Sequence, residues 1–154
     1  MVKTLSRRFL TAALLAIITS LWCWIITALH GAWSFGIVEG YLDGGRVPLY
    51  PTMPVTYGEF FFQALVSLLI TFALAVIWCS FAPQPLHLIG VLVAWLIGFW
   101  AGAENISFTF QIDYGTTWAP FEALRALFIH PIVTPFSLVM GVLGTYSLTR
   151  PFRT

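Results

Sequence analysis

The sequence predicts an all-α integral membrane protein: a four-transmembrane-helix bundle, a single membrane domain over residues 1–154, closed on one side by a small cap. Three observations predict it. Apolar residues make up 59% of the chain and charged residues only 8%, where a soluble domain carries about a quarter charged. That leaves too little polar surface to cover a globule in water, and lipid is the solvent that tolerates the remainder. Four apolar stretches are long enough, or nearly so, to cross about 30 Å of hydrocarbon at about 1.5 Å per residue. The basic residues gather towards the two ends of the chain.

The first span is read over residues 9–30. Lys3, Arg7 and Arg8 precede it, as in a secretory signal, and Ser6-Arg7-Arg8-Phe9-Leu10 hints at a twin-arginine signal. The apolar run from Phe9 to Leu29 exceeds a signal core of about 7–15 residues, and His30-Gly31-Ala32-Trp33 is a poor cleavage site. A retained first helix is the expectation. The second span covers 60–81 and ends in a tight turn, Ala82-Pro83-Gln84-Pro85. The third covers 86–103, and the fourth covers 121–148, starting with charged residues at the interface. Backbone groups in lipid must be satisfied within the segment, which selects helices; the runs are too long and unbroken for barrel strands.

An even number of spans puts both chain ends on one side. Lys3, Arg7, Arg8, Arg150 and Arg153 lie there with no acid. Glu39, Asp43, Glu59, Glu104, Asp113 and Glu122 fall on the other side, with only Arg46 and Arg125. The positive-inside rule then places both termini in the cytoplasm, and the compact pattern suits a bacterial inner membrane. A net charge of +1 gives no basic field for nucleic acid.

The first outer loop, 34–58, holds Gly36, Gly40, Gly44, Gly45 and Gly58 with Pro48, Pro51 and Pro54. Asp43-Gly44-Gly45 reads as a turn, and Tyr41, Tyr50 and Tyr57 suit an interface. Residues 35–38 either extend the first helix or dip into the interface. In the second outer loop, 104–120, the stretch Ser107 to Tyr114 alternates polar and apolar residues. This period of two predicts a short β-strand ending at Gly115, with residues 46–50 as its partner. The pair reads either as a hairpin sealing the bundle or as an edge that another subunit extends. In the second case Phe108, Phe110, Ile112 and Tyr114 form a candidate partner surface.

Gly90, Ala94, Gly98 and Gly102 repeat every four residues down one face of the third span. Lipid gives helices no hydrophobic drive to associate, so small residues that let backbones approach are the expected packing stripe. Weaker stripes are Ala12, Ala16, Ser20; Ser67, Thr71, Ala75, Cys79; and Ser137, Gly141, Thr145. Each serves packing within the monomer or a face for oligomers.

Charge inside hydrocarbon is costly and marks pairing or function. Glu59, Gln63, Glu104, Glu122, Arg125 and His130 form the candidate polar cluster or ligand site, near the outer third of the bundle. Glu122 and Arg125 are three apart and can meet on one helix face; Glu104 and Glu59 are other partners for Arg125. Read structurally, the cluster ties helix ends together; read functionally, it is a solute or proton site. Pro131 and Pro135 each remove a backbone donor and kink the fourth helix beside His130, and discontinuous helices form binding sites in transporters.

A haem between helices needs two histidines at one depth, and His30, His87 and His130 fall at three different predicted depths. Cys23 and Cys79 lie in apolar runs without a zinc or CxxC pattern. No catalytic or metal site is read, no cofactor is called for, and motifs such as GxSxG, HExxH or a phosphate loop are absent. The expected function is a non-catalytic accessory or structural subunit of a larger membrane complex. A transporter or channel component for a small solute or ion is the alternative, and a haem-binding anchor the third. The expected partners are the bilayer and a membrane protein, or further copies of the chain.

Overall fold

The computed structural model describes residues 2–39, 57–113, 119 and 121–152, and every element among them is helical. Helix α1 spans Val2–Glu39, α2 spans Tyr57–Gln63, α3 spans Leu65–Phe81, α4 spans His87–Asp113 and α5 spans Val133–Thr149. Short 3-10 turns occupy Gln84–Leu86 and Arg150–Phe152, and a π-helical stretch occupies Leu124–Phe128. Among the described residues, three helical segments are long and apolar enough to cross a membrane: Phe9–Ser34, Tyr57–Phe81 and Gln84–Ile112.

Helix ends follow the prolines. Ala82 and Pro83 are extended, with ψ near 150°; Ala82 precedes a proline, which pushes it out of the α region. The chain then re-enters helix through the 3-10 turn that carries Pro85. Helices α3 and α4 thus form a tight antiparallel pair.

The strand expected from residue 107 onwards is helix instead: α4 continues to Asp113. Tyr114, the hairpin partner at 46–50 and the rest of the loop lie outside the described residues. The reason for the difference is burial. Ile106 and Phe110 are 0% and 7% exposed, while Phe108 and Ile112 are 55% and 62% exposed. The even-numbered residues therefore split onto two helix faces, one against the core and one outward, as a period of 3.6 requires. The odd-numbered polar residues are also satisfied helically: Ser107 donates to the Ala103 carbonyl at 2.8 Å and Thr109 to that of Asn105 at 2.9 Å. Alternation over so short a run was a coincidence of helical faces.

Helix α1 is the axis of the bundle and packs on each of the other four helices. At the end that holds the first turns of α1, Ala12, Leu15 and Ala16 of α1 meet Ala75 and Cys79 of α3, Val91 and Ala94 of α4, and Phe152. At the loop end the core is larger and aromatic, with Phe60, Trp95, Phe99, Phe110 and Phe128 around Ala28 and Ala32.

The third-span stripe sits inside the bundle. A Cβ on Gly98 would strike the Thr71 hydroxyl, and one on Gly102 would lie 2.7 Å from Ser67 Cβ and 2.8 Å from Thr27 Cγ2. Gly90 lies under the Trp78 ring, and Ala94 is buried. Thr71 Oγ1 is buried without a hydrogen-bond partner, in the space that a side chain on Gly98 would take. On the other side, the Trp95 ring of α4 covers Gly141 of α5, and the Trp22 ring of α1 covers Gly144.

A candidate site at the break in the fourth segment

The fourth segment is not one helix. Its π-helical part closes with the Ile129 amide donating to the Leu124 carbonyl at 3.1 Å. Ile129 then turns extended, with ψ of 100°, and α5 starts only at Val133. The sequence dictates a break here: Pro131 has no N–H to continue the ladder and pushes the residue before it away from α. The cost is the Phe128 carbonyl, left without a helical donor inside an apolar bundle. An unsatisfied backbone group in hydrocarbon costs several kcal/mol, roughly.

Side chains from two helices meet that carbonyl. His30 Nε2 lies 2.8 Å from it, the Ser34 hydroxyl 3.2 Å and the Thr134 hydroxyl 3.3 Å. A carbonyl only accepts, so His30 carries its proton on Nε2. Its Nδ1 is then an acceptor, 3.1 Å from the Ser137 hydroxyl, which donates to it. His30 is fully buried, with the Phe128 ring edge-on at 4.1 Å between centroids and the Phe99 ring at 5.4 Å. Spacing explains the convergence. His30 and Ser34 are one turn apart on α1, and Thr134 and Ser137 are three apart on α5, so both pairs face the same seam.

His130 plays a different part. Its Nδ1 accepts the Ile132 and Val133 amides, each at 3.2 Å, and its own amide donates to Thr134 Oγ1 at 2.9 Å. The ring therefore caps the start of α5 and needs an unprotonated Nδ1 to do so.

A second break, between α2 and α3 at Ala64, is handled in the same way. The Gln63 carbonyl receives Asn105 Nδ2 from α4 at 3.0 Å, and the Phe61 carbonyl receives Trp24 Nε1 from α1 at 2.7 Å. Gln63 Oε1 accepts from Thr109 at 3.0 Å and from Asn105 at 3.3 Å. In each case a long helix, α1 or α4, lends a side-chain donor to a carbonyl that a shorter, broken neighbour cannot satisfy. Trp22 Nε1 also donates to the Gly141 carbonyl, at 3.1 Å, within the unbroken part of α5.

The residues singled out by sequence separate into groups. Gln63 and His130 belong to the two breaks. Glu59 is exposed on α2. Glu122 is exposed and turns its carboxylate to the Ala119 amide at 2.9 Å, not to Arg125, which is exposed as well. Glu104 is half-buried on α4, and its Oε2 is buried without a hydrogen-bond partner. Among the described residues no hydrogen bond joins Glu104, Glu122 and Arg125. Phe108 and Ile112 point outward, while Phe110 packs on Phe60 in the core, and Tyr114 lies outside the described residues.

Sequence reading missed His30 as a polar anchor, along with Ser34, Asn105, Thr134 and Ser137. The signal was present: a histidine and a serine one turn apart on the first span, opposite a threonine and serine just after Pro131. The histidines also bear on haem ligation. His30 has both ring nitrogens engaged; His87 gives Nε2 to the Ala82 carbonyl at 3.1 Å, and His130 gives Nδ1 to α5. Comparison with protein-family models, with curated proteins and with solved structures finds no match for this chain.

Proposed function

We propose that the chain is a non-catalytic subunit of a larger membrane complex, built as four spans with both ends on the cytoplasmic face of a bacterial inner membrane. The fourth span is α5 with the π-helical stretch before it. The 17 residues of α5 rise about 25 Å by themselves, and the preceding turns extend them to the interface. Five basic residues near the chain ends, against two elsewhere, give the orientation.

The observation that carries this reading is the fate of the polar groups at the helix breaks. Transport sites use freed carbonyls and hydroxyls at broken helices to hold substrate. Here the Phe128, Gln63 and Phe61 carbonyls are each taken by a side chain of the same protein. The groove between α3 and α4, about 250 Å³, is lined by Leu74, Ile77, Trp78, Ile89, Val93 and Ile97 and offers almost no polar surface. Such a bundle is suited to being packed against. The test is purification of the tagged chain from native membranes in mild detergent, with mass spectrometry of what accompanies it. A stoichiometric larger membrane protein supports the subunit role; a homogeneous assembly of this chain alone overturns it.

The second reading, an oligomeric transporter or channel component, rests on the break itself. The fourth segment is interrupted between the π-helical stretch and α5, beside the buried His30. Solute-dependent flux in proteoliposomes containing only this chain, lost on substitution of His30, would favour it.

A further inference from the structure

We propose that His130 is a proton-sensitive cap that holds the break in the fourth segment closed. Its Nδ1 accepts the Ile132 and Val133 amides, each at 3.2 Å. The next amides along are already bonded to backbone, Thr134 to the His130 carbonyl at 3.1 Å and Phe136 to that of Ile132 at 3.2 Å, and Pro135 has none. The imidazole thus serves the two first-turn donors that the backbone leaves over. Neutral imidazole has one ring nitrogen able to accept; imidazolium has none. Protonation turns two hydrogen bonds into two donor–donor contacts, and puts a positive charge at a helix N-terminus, where the helix dipole opposes it.

The cap is wired to the buried anchor. The His130 amide donates to Thr134 Oγ1, and the same hydroxyl lies 3.3 Å from the Phe128 carbonyl that His30 holds. Expelling the ring frees the first turn of α5, withdraws Thr134 from that carbonyl and leaves it to His30 and Ser34. Among the described residues, other ionisable groups at this end are His30 from α1, Glu59 from α2, Glu104 from α4, and Glu122 and Arg125 on the same segment. Of these only His30 is another imidazole, and it is separable by substitution. His130 is half-buried at the bundle surface.

The experiment is amide hydrogen–deuterium exchange of the full chain in detergent micelles. Peptides covering residues 131–137 are compared at about pH 7.5 and about pH 5.5, on either side of histidine's range, after correction for intrinsic exchange. Protection of the Ile132 and Val133 amides is expected to fall about five-fold at the lower pH, the typical worth of a helix cap. His130→Asn, a capping side chain that does not titrate, is expected to keep its protection at both values, and His130→Ser serves where Asn folds poorly. His30→Gln is expected to keep the pH response. Equal protection of the wild type at both pH values overturns the proposal. So does an undiminished fall in the Asn or Ser variant, or loss of the response in His30→Gln.

Discussion

His30 Nε2 sits 2.8 Å from the carbonyl oxygen of Phe128, a residue 98 positions further along the chain. This one bond joins the central helix to the weakest point of the fourth segment, and its removal has a defined cost. His30→Ala leaves the carbonyl to Ser34 and Thr134 and opens a void between Phe99 and Phe128. Unfolding in mild detergent is expected to show a loss of about 1–3 kcal/mol, the range for leaving a buried polar group poorly satisfied. The double variant with Ser34→Ala is expected to lose more than the sum of the singles, because the two share one acceptor. Strict additivity would mean that the groups act independently and that the carbonyl is satisfied some other way.

The Ala64 break offers a parallel case. Asn105→Leu keeps the volume of the side chain but removes the donor to the Gln63 carbonyl and to Gln63 Oε1. The expected loss is about 1–2 kcal/mol by detergent unfolding. Thr109→Val removes only a side-chain contact to Gln63 and is expected to cost under about 1 kcal/mol. A reversed order would place the weight on the side-chain pair and not on the freed carbonyl.

These breaks also mark where sequence reading stopped working. Long apolar runs declare themselves, because nothing but lipid tolerates them, and the small residues of the third span report close approach, because only they permit it. The prolines likewise announced a kink near His130. Two things were not legible. The run from Ser107 to Tyr114 alternates in polarity, and only the burial of Ile106 and Phe110 against α1 and α2 reveals which period governs it. The partners of the freed carbonyls come from helices distant in sequence, so His30 looked like a helix-end residue until Phe128 stood opposite it. Charge was misleading for a related reason. Glu122 and Arg125 are spaced to pair, yet both are exposed and the carboxylate caps Ala119, so spacing alone did not decide the partner.

The α3–α4 contact is predicted to be intolerant of any side chain at Gly98, and to be so because of Thr71. A Cβ there meets the Thr71 hydroxyl and comes within 2.9 Å of the Ser67 carbonyl. Gly98→Ala is expected to destabilise by about 1–3 kcal/mol, as overpacking does. Adding Thr71→Ala removes the struck hydroxyl and is expected to recover part of that loss. Gly98→Leu is expected to lower the yield of folded protein sharply, with no rescue by Thr71→Ala, since the extra atoms meet the α3 backbone. Wild-type yield and melting for Gly98→Leu would show that α3 and α4 are not in contact at this level.

Arg125 separates a role in folding from a role in recognition. It is exposed, in the π-helical stretch that precedes the break, and Glu122 is committed elsewhere. Arg125→Ala is therefore expected to change stability by no more than about 0.5 kcal/mol, as for surface positions away from special contacts. If the chain is a subunit of a larger complex, a cation without a partner among the described residues is a natural contact for an acidic group of another protein. Co-purification with a partner is then expected to weaken in Arg125→Ala and in Arg125→Glu, more in the second because attraction becomes repulsion, and to recover partly in Arg125→Lys. A destabilised, poorly expressed Arg125→Ala would assign the residue to folding. Unchanged stability with unchanged co-purification would remove it from both roles and leave the aromatic and aliphatic faces of the bundle to make the association.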